Sequence, residues 1–240
     1  SAFGNTSTST GLQSSAVGFK NLASGILTSA IGASSTASAN GSSAFGFNNY
    51  TSAASSSAFG FLNLASGIQS SAFGNTSTST GLQSSAVGFS NLATGAQSSV
   101  FGATSTATGT RATAVGYNNT SGGNDALAVG GQNTASALVS IAVGYSNSAT
   151  KIGDAAIGQN NTASGGNTSL AFGAANTSSG LASSAFGQSN SSSGLYSLAF
   201  GRSNTSSSYV SNAFGYGNSA SATSSSGFGY LNASSATSSS

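Results

Sequence analysis

A hydrophobic residue returns every 14 positions along this chain, preceded by a small residue and followed by Gly: Ala2-Phe3-Gly4, Ala16-Val17-Gly18, Ala30-Ile31-Gly32, and onward to Gly227-Phe228-Gly229. There are 17 such triplets, and one interval alone breaks step, the 15 residues from Gly158 to Gly173. A fixed short period signals one structural unit stacked on itself. With the motif Gly as position 0, position +13 is Phe, Val or Ile throughout, and +12 is Ala except at Val100 and Gly227. Positions +3, +5 and +7 are small or Asn, whereas +2, +4 and +6 are mostly polar. Alternation with period two marks a strand with one face in and one face out. The pattern predicts a strand within +2 to +7, a second short strand over +10 to +13 ending at Gly, and two turns. Gly and Asn suit tight corners, because Gly takes positive φ freely and Asn tolerates it. Strands of successive coils then pair in parallel, about 4.8 Å apart.

The expected fold is therefore all-β: a parallel β-solenoid of about 17 coils with 14 residues per coil, read as a single solenoid over residues 1–240. A coiled coil also repeats in multiples of seven. Gly inside every repeat and the scarcity of Leu, Glu, Lys and Gln argue against helix. Residues 1–19 recur unchanged at 71–89, an offset of five coils. Whole-coil duplication is tolerated where each coil touches only its neighbours.

Three columns are candidates for structural or contact roles. The +13 column is taken as the inward core ladder: Phe3, Val17, Ile31, Phe45, Phe59, Phe73, Val87, Phe101, Val115, Val129, Val143, Ile157, Phe172, Phe186, Phe200, Phe214 and Phe228. The Ala column at +12 is then an outward association face, with the reverse assignment left open. The +3 column is a turn ladder of Asn21, Asn49, Asn63, Asn91, Asn119, Asn133, Asn147, Asn161, Asn176, Asn190, Asn204, Asn218 and Asn232, with Ser7, Ser35, Ser77 and Ser105 between. Stacked amides can bond to each other along the axis. A partial aromatic column at +1 (Phe19, Phe47, Phe61, Phe89, Tyr117, Tyr145, Tyr216, Tyr230) is either corner packing or a surface for sugars, proteins or another copy.

Composition narrows the chemistry. Only six residues carry charge, Lys20, Arg111, Asp125, Lys151, Asp154 and Arg202, and there is no His, Cys, Met, Trp or Pro. A net charge of +2 forms no basic patch for nucleic acid. No titrating pair suits acid–base catalysis, and no Ser has a base in a specific motif. Asp125 and Asp154 read as solvated turn residues. No metal, cofactor or catalytic residue is assigned. No apolar run reaches the ~20 residues of a membrane helix. Sequons are frequent (Asn5, Asn40, Asn49, Asn75, Asn118, Asn119, Asn160, Asn167, Asn176, Asn190, Asn204 and Asn232), as Asn, Ser and Thr richness alone would produce. The start inside a motif suggests a fragment of a longer chain.

The stretches SSAVGFKNLASG (14–25), SIAVGYSNSATK (140–151) and LAVGGQNTASA (127–137) resemble the head repeats of trimeric autotransporter adhesins, the YadA-like or Hep/Hag repeats. Those have a pattern near Asn-Ser-Val-Ala-Ile-Gly followed by Ser-x-Ala. The resemblance runs through all the coils. It implies a left-handed parallel β-roll, three chains side by side, display on a cell surface or fibre, and adhesion. Position +11 departs from the family, being mostly Ser (Ser15, Ser43, Ser57, Ser71, Ser85), although Leu127, Ile141, Leu170 and Leu198 fit. Phe is unusually common at +13. The expected role is an extracellular fibre segment that attaches to a matrix protein, a glycan or a host surface, with self-association as a homotrimer or filament and no membrane insertion by this segment. A self-assembling filament or sheath subunit, glycosylated or part of a phage or virus fibre, is the alternative. Ice binding is disfavoured, because Leu22, Leu64, Leu92, Tyr50 and Ala233 interrupt the Thr rows at +4.

Overall fold

The computed structural model describes residues 1–239. The chain is an all-β parallel solenoid of about 17 coils, with no helix among the described residues. It divides into two compact units, Ser1–Asn118 and Asn119–Ser240, built on the same coil.

Each coil has a long and a short strand. The long strand runs from +11 through the motif Gly to +1, as in Ser15–Phe19 and Ile141–Tyr145. The short strand covers +4 and +5, as in Leu22–Ala23 and Ser148–Ala149. Both differ from the sequence expectation, which ended one strand at Gly and spread the other over six positions. The motif Gly continues the strand because it holds a φ open to Gly: Gly18 lies at +116°, and a Cβ there would overlap the carbonyl oxygen of Gly32.

Strands pair in register with the next coil, so like columns stack: Ala72 beside Ala86, Phe73 beside Val87, and Gly74 beside Gly88. The corners lie at +2 and +9, not at Asn and Gly. Lys20, Leu27, Leu62, Tyr196 and Val210 all hold φ between 50 and 57° there. A side chain in this left-handed region costs roughly 1–2 kcal/mol. The ladder offsets that cost by engaging each corner N–H. Lys20 N donates to Asn5 O at 3.0 Å, and Leu27 N donates to Leu12 O at 2.9 Å.

Corners at +2 and +9 reveal that each coil is two similar halves of seven. Gly or a small residue stands at 0 and, save for Lys151, at +7; an inward residue, polar except at Ala112 and Ala126, stands at +3 and +10, and an inward small residue at +5 and +12. The interior is lined by Ala at +12 and by Ala, Ser or Thr at +5. Ala16, Ala30, Ala44 and Ala142 are fully buried, as are Ala23, Ala37, Thr51 and Ala149.

The +13 column therefore does not form the chain's own core. Phe73, Phe101, Phe200 and Phe228 are 36–58% exposed, and Phe3 is more so. Val17, Ile31, Phe45, Phe59, Val87, Val115, Val129, Val143, Ile157, Phe172, Phe186 and Phe214 are half-buried. The reason is volume and parity. Two facing strands in a 14-residue coil leave room for methyl groups but not rings, and the pleat sends the neighbour of an inward residue outward.

Candidate interaction surface

The long strand presents +11, +13 and +1 outward together. On this sheet face the +13 rings stack along the axis. In the first unit Phe45 and Phe59 lie 4.7 Å apart and Phe59 and Phe73 4.9 Å, nearly parallel. In the second unit Phe172 and Phe186 lie 5.2 Å apart and Phe214 and Phe228 5.1 Å. The +1 aromatics flank them and are open to solvent, Phe19, Phe47, Phe61, Phe89, Tyr117, Tyr145, Tyr216 and Tyr230 being 40–70% exposed. Corner packing alone thus does not account for this column.

Stacking decides what such rings can meet. Phe47 lies on Phe61 and Tyr216 on Tyr230, each at 5.2 Å, so the rings cover one another's faces and turn edges outward. A sugar that stacks on an aromatic needs a free face, whereas ring edges and methyl groups suit another apolar surface. Lys20 Nζ lies 5.1 Å from the Phe19 ring centre and the Arg202 guanidinium 5.6 Å from that of Tyr216. Two of the four cations thus rest on this column.

A second apolar ridge follows the other turn, at +8 and +9. Leu12, Ile26, Leu82, Leu138, Ile152 and Tyr209 are 44–71% exposed at +8, and Leu27, Val139 and Tyr196 are 50–60% exposed at +9. Reading the repeat as 14 residues concealed it. Folding the sequence at period seven aligns +8 with +1 and exposes both columns.

The Asn column lies inside. Asn21, Asn49, Asn63, Asn91, Asn119, Asn133, Asn147, Asn161, Asn176, Asn190, Asn204 and Asn218 are at most 1% exposed, and Asn232 is exposed. Asn133 Nδ2 donates to Asn119 Oδ1 at 3.0 Å, to Val129 O at 2.9 Å and to Gly144 O at 2.8 Å. Its Oδ1 accepts from Asn147 N and Nδ2, both at 3.0 Å. These amides satisfy the corner backbone, and no glycan reaches them. Among the sequons, Asn5, Asn40, Asn75, Asn118, Asn160, Asn167 and Asn232 stand exposed.

Asp154 departs from the sequence reading. It is fully buried, not solvated. Its carboxylate accepts from Lys151 N (3.0 Å), Gly166 N (3.0 Å), Ser169 N (3.2 Å) and Ser169 Oγ (2.6 Å). Asp125 is exposed. No group of three metal-binding side chains occurs among the described residues, and no helix there is long and apolar enough to cross a membrane.

Comparison with known proteins places these coils. The family described as YadA head domain repeat (2 copies) matches residues 1–21, 23–49, 65–91, 93–119, 121–147 and 178–204. No curated protein matches the chain.

Proposed function

The chain belongs to the YadA head repeat family, and from that premise we propose that it is a segment of an extracellular trimeric rod that mediates attachment. One observation carries this reading: a face of stacked, outward +13 rings flanked by exposed +1 aromatics, in a chain with six charges. Contiguous apolar surface of this kind marks an interaction site, and the near absence of charge leaves copies little reason to repel. In the trimer the +13 columns of three copies meet near the axis. The ridge at +8 and +9, on the other turn, stays open to a matrix or host-surface partner. The segment acts by geometry, presenting the same contact at every coil, and performs no catalysis.

Native mass by light scattering tests the assembly. A discrete trimer is expected, and Phe59→Ser with Phe73→Ser should shift it toward monomer while the β-sheet circular dichroism signal stays. Open-ended polymers would instead favour a filament subunit, and a monomer of the unaltered chain would overturn the trimer. Attachment is read separately. Leu138→Asn with Ile152→Asn should lower binding of the trimer to matrix-coated or cell surfaces several-fold with the mass unchanged, and undiminished binding would remove the ridge from the contact.

A further inference from the structure

Column +10 holds Ser, Thr or Ala in every coil except one, where it is Asp154. The next coil is the one that contains 15 residues. In other coils the +10 hydroxyl can serve its own turn, as where Ser140 Oγ accepts from Ala137 N at 3.1 Å and donates to Ala137 O at 2.7 Å. Asp154 keeps the first of these bonds, taking Lys151 N on Oδ2 at 3.0 Å. Its other oxygen, Oδ1, reaches into the lengthened coil, where it accepts Gly166 N, Ser169 N and Ser169 Oγ.

The inserted residue can be identified. Gly166 O accepts Ala182 N at 3.0 Å, the bond that a +8 carbonyl makes in other coils, as Leu181 O does with Tyr196 N at 3.0 Å. Thr168 stands against Gly153, which occupies +9 in the preceding coil. Asn167 is therefore the extra residue, between +8 and +9. In ordinary coils the +10 N–H donates to the +7 carbonyl, as Ser183 N does to Gly180 O at 3.1 Å. Insertion removes that partner from Ser169, and a serine at 154 has one oxygen where two directions must be served.

We infer that Asp154 is an insertion lock: its second carboxylate oxygen replaces the backbone partners lost to the extra residue and confines the disturbance to one turn. The register on either side agrees. Before the insertion Ser148 pairs with Thr162, and after it Ala155 pairs with Leu170 and Gly158 with Gly173. The Asn ladder also crosses the insertion, Asn176 Nδ2 donating to Asn161 Oδ1 at 3.0 Å. The turn Gly166-Asn167-Thr168 is thereby held at +8/+9, with Gly166 buried and Asn167 and Thr168 exposed. A buried carboxylate needs such donors, since ionised groups are costly to bury unpaired.

The test is a cycle on the full chain: Asp154→Ser, deletion of Asn167, and both together. Each single change should lower the unfolding midpoint by roughly 5–10 °C, the first by orphaning amides and the second by orphaning the carboxylate. Asp154→Ser should also cost Gly166 and Ser169 at least about tenfold in amide-exchange protection. The combined variant, an ordinary 14-residue coil with Ser at +10, should return to within roughly 3 °C of the parent. Losses that simply add in the combined variant, or no loss in Asp154→Ser, would overturn the lock. If neither single variant folds, a folded combined variant supports it and an unfolded one refutes it. These readouts concern stability alone, so their failure leaves the trimer reading untouched.

Discussion

The two units share a coil but fill its polar core differently. In Ser1–Asn118 the +3 column mixes Ser and Asn, and only Asn49 and Asn63 are successive amides. In the unit that begins at Asn119, every +3 residue is Asn. The consequence is visible in the bonds. Asn91 N sits at the limit of contact, 3.5 Å from Ser77 Oγ, and its amide has no side-chain neighbour to donate to. Asn161 Nδ2 donates to Asn147 Oδ1 at 3.1 Å, and Asn161 Oδ1 accepts from Asn176 Nδ2 at 3.0 Å.

The +5 and +10 columns vary from coil to coil within both units. In the second unit Ser178 bonds Ser183 and Ser192 bonds Ser197, each at 2.6 Å. In the first, Ser9 bonds Ser14 and Ser79 bonds Ser84 at the same 2.6 Å, whereas Ser42 Oγ and Ser98 Oγ are buried without a partner. A repeat can thus keep its backbone unchanged while the satisfaction of its buried groups varies from coil to coil. Backbone register is set by the ladder, and side-chain networks are added to it.

Breaking the ladder in each unit gives the largest difference. Asn161→Leu strips acceptor or donor partners from Ile157 O, Gly173 O, Asn147 Oδ1 and the Asn176 amide, and should cost about 4 kcal/mol or more. Asn91→Leu, with Ser neighbours on both sides, should cost less, about 3 kcal/mol. Urea unfolding with amide exchange resolved by unit measures both, and equal losses would mean that continuity of the ladder adds nothing. The converse change is smaller. Ser77→Asn would join Asn63 to Asn91 and should stabilise the first unit by about 1 kcal/mol, read as a later urea midpoint and slower exchange over residues 63–91. The smallest effect belongs to Ser98→Ala, which removes an unpaired hydroxyl and should be neutral or stabilising by about 0.5 kcal/mol. A clear loss there would show that the hydroxyl has a partner after all.

Much of this was legible in the chain. Period, coil count, parallel stacking and the small residues at +5 and +12 follow from columns that any reader can align. The +1 aromatics were visible as a column but not as an exposed one. The ridge at +8 was hidden by its mixed membership, Leu and Ile alternating with Ala54, Asn40 and Thr110. Corners at +2 and +9 left no trace, because the ladder forces φ there on whatever residue is present, even Val139 and Val210. Asp154 looked like any turn carboxylate, since its donors lie up to 15 residues away.

The sequence by itself determined the repeat, the β-solenoid and the family, because periodic constraints act on the residues that stack. Only the tertiary structure decided which of two adjacent columns faces inward. Alternation groups residues by face without labelling the faces, and the label comes from volume: a coil this narrow accepts the Ala methyl at +12 and turns the Phe ring at +13 outward, where another copy can cover it.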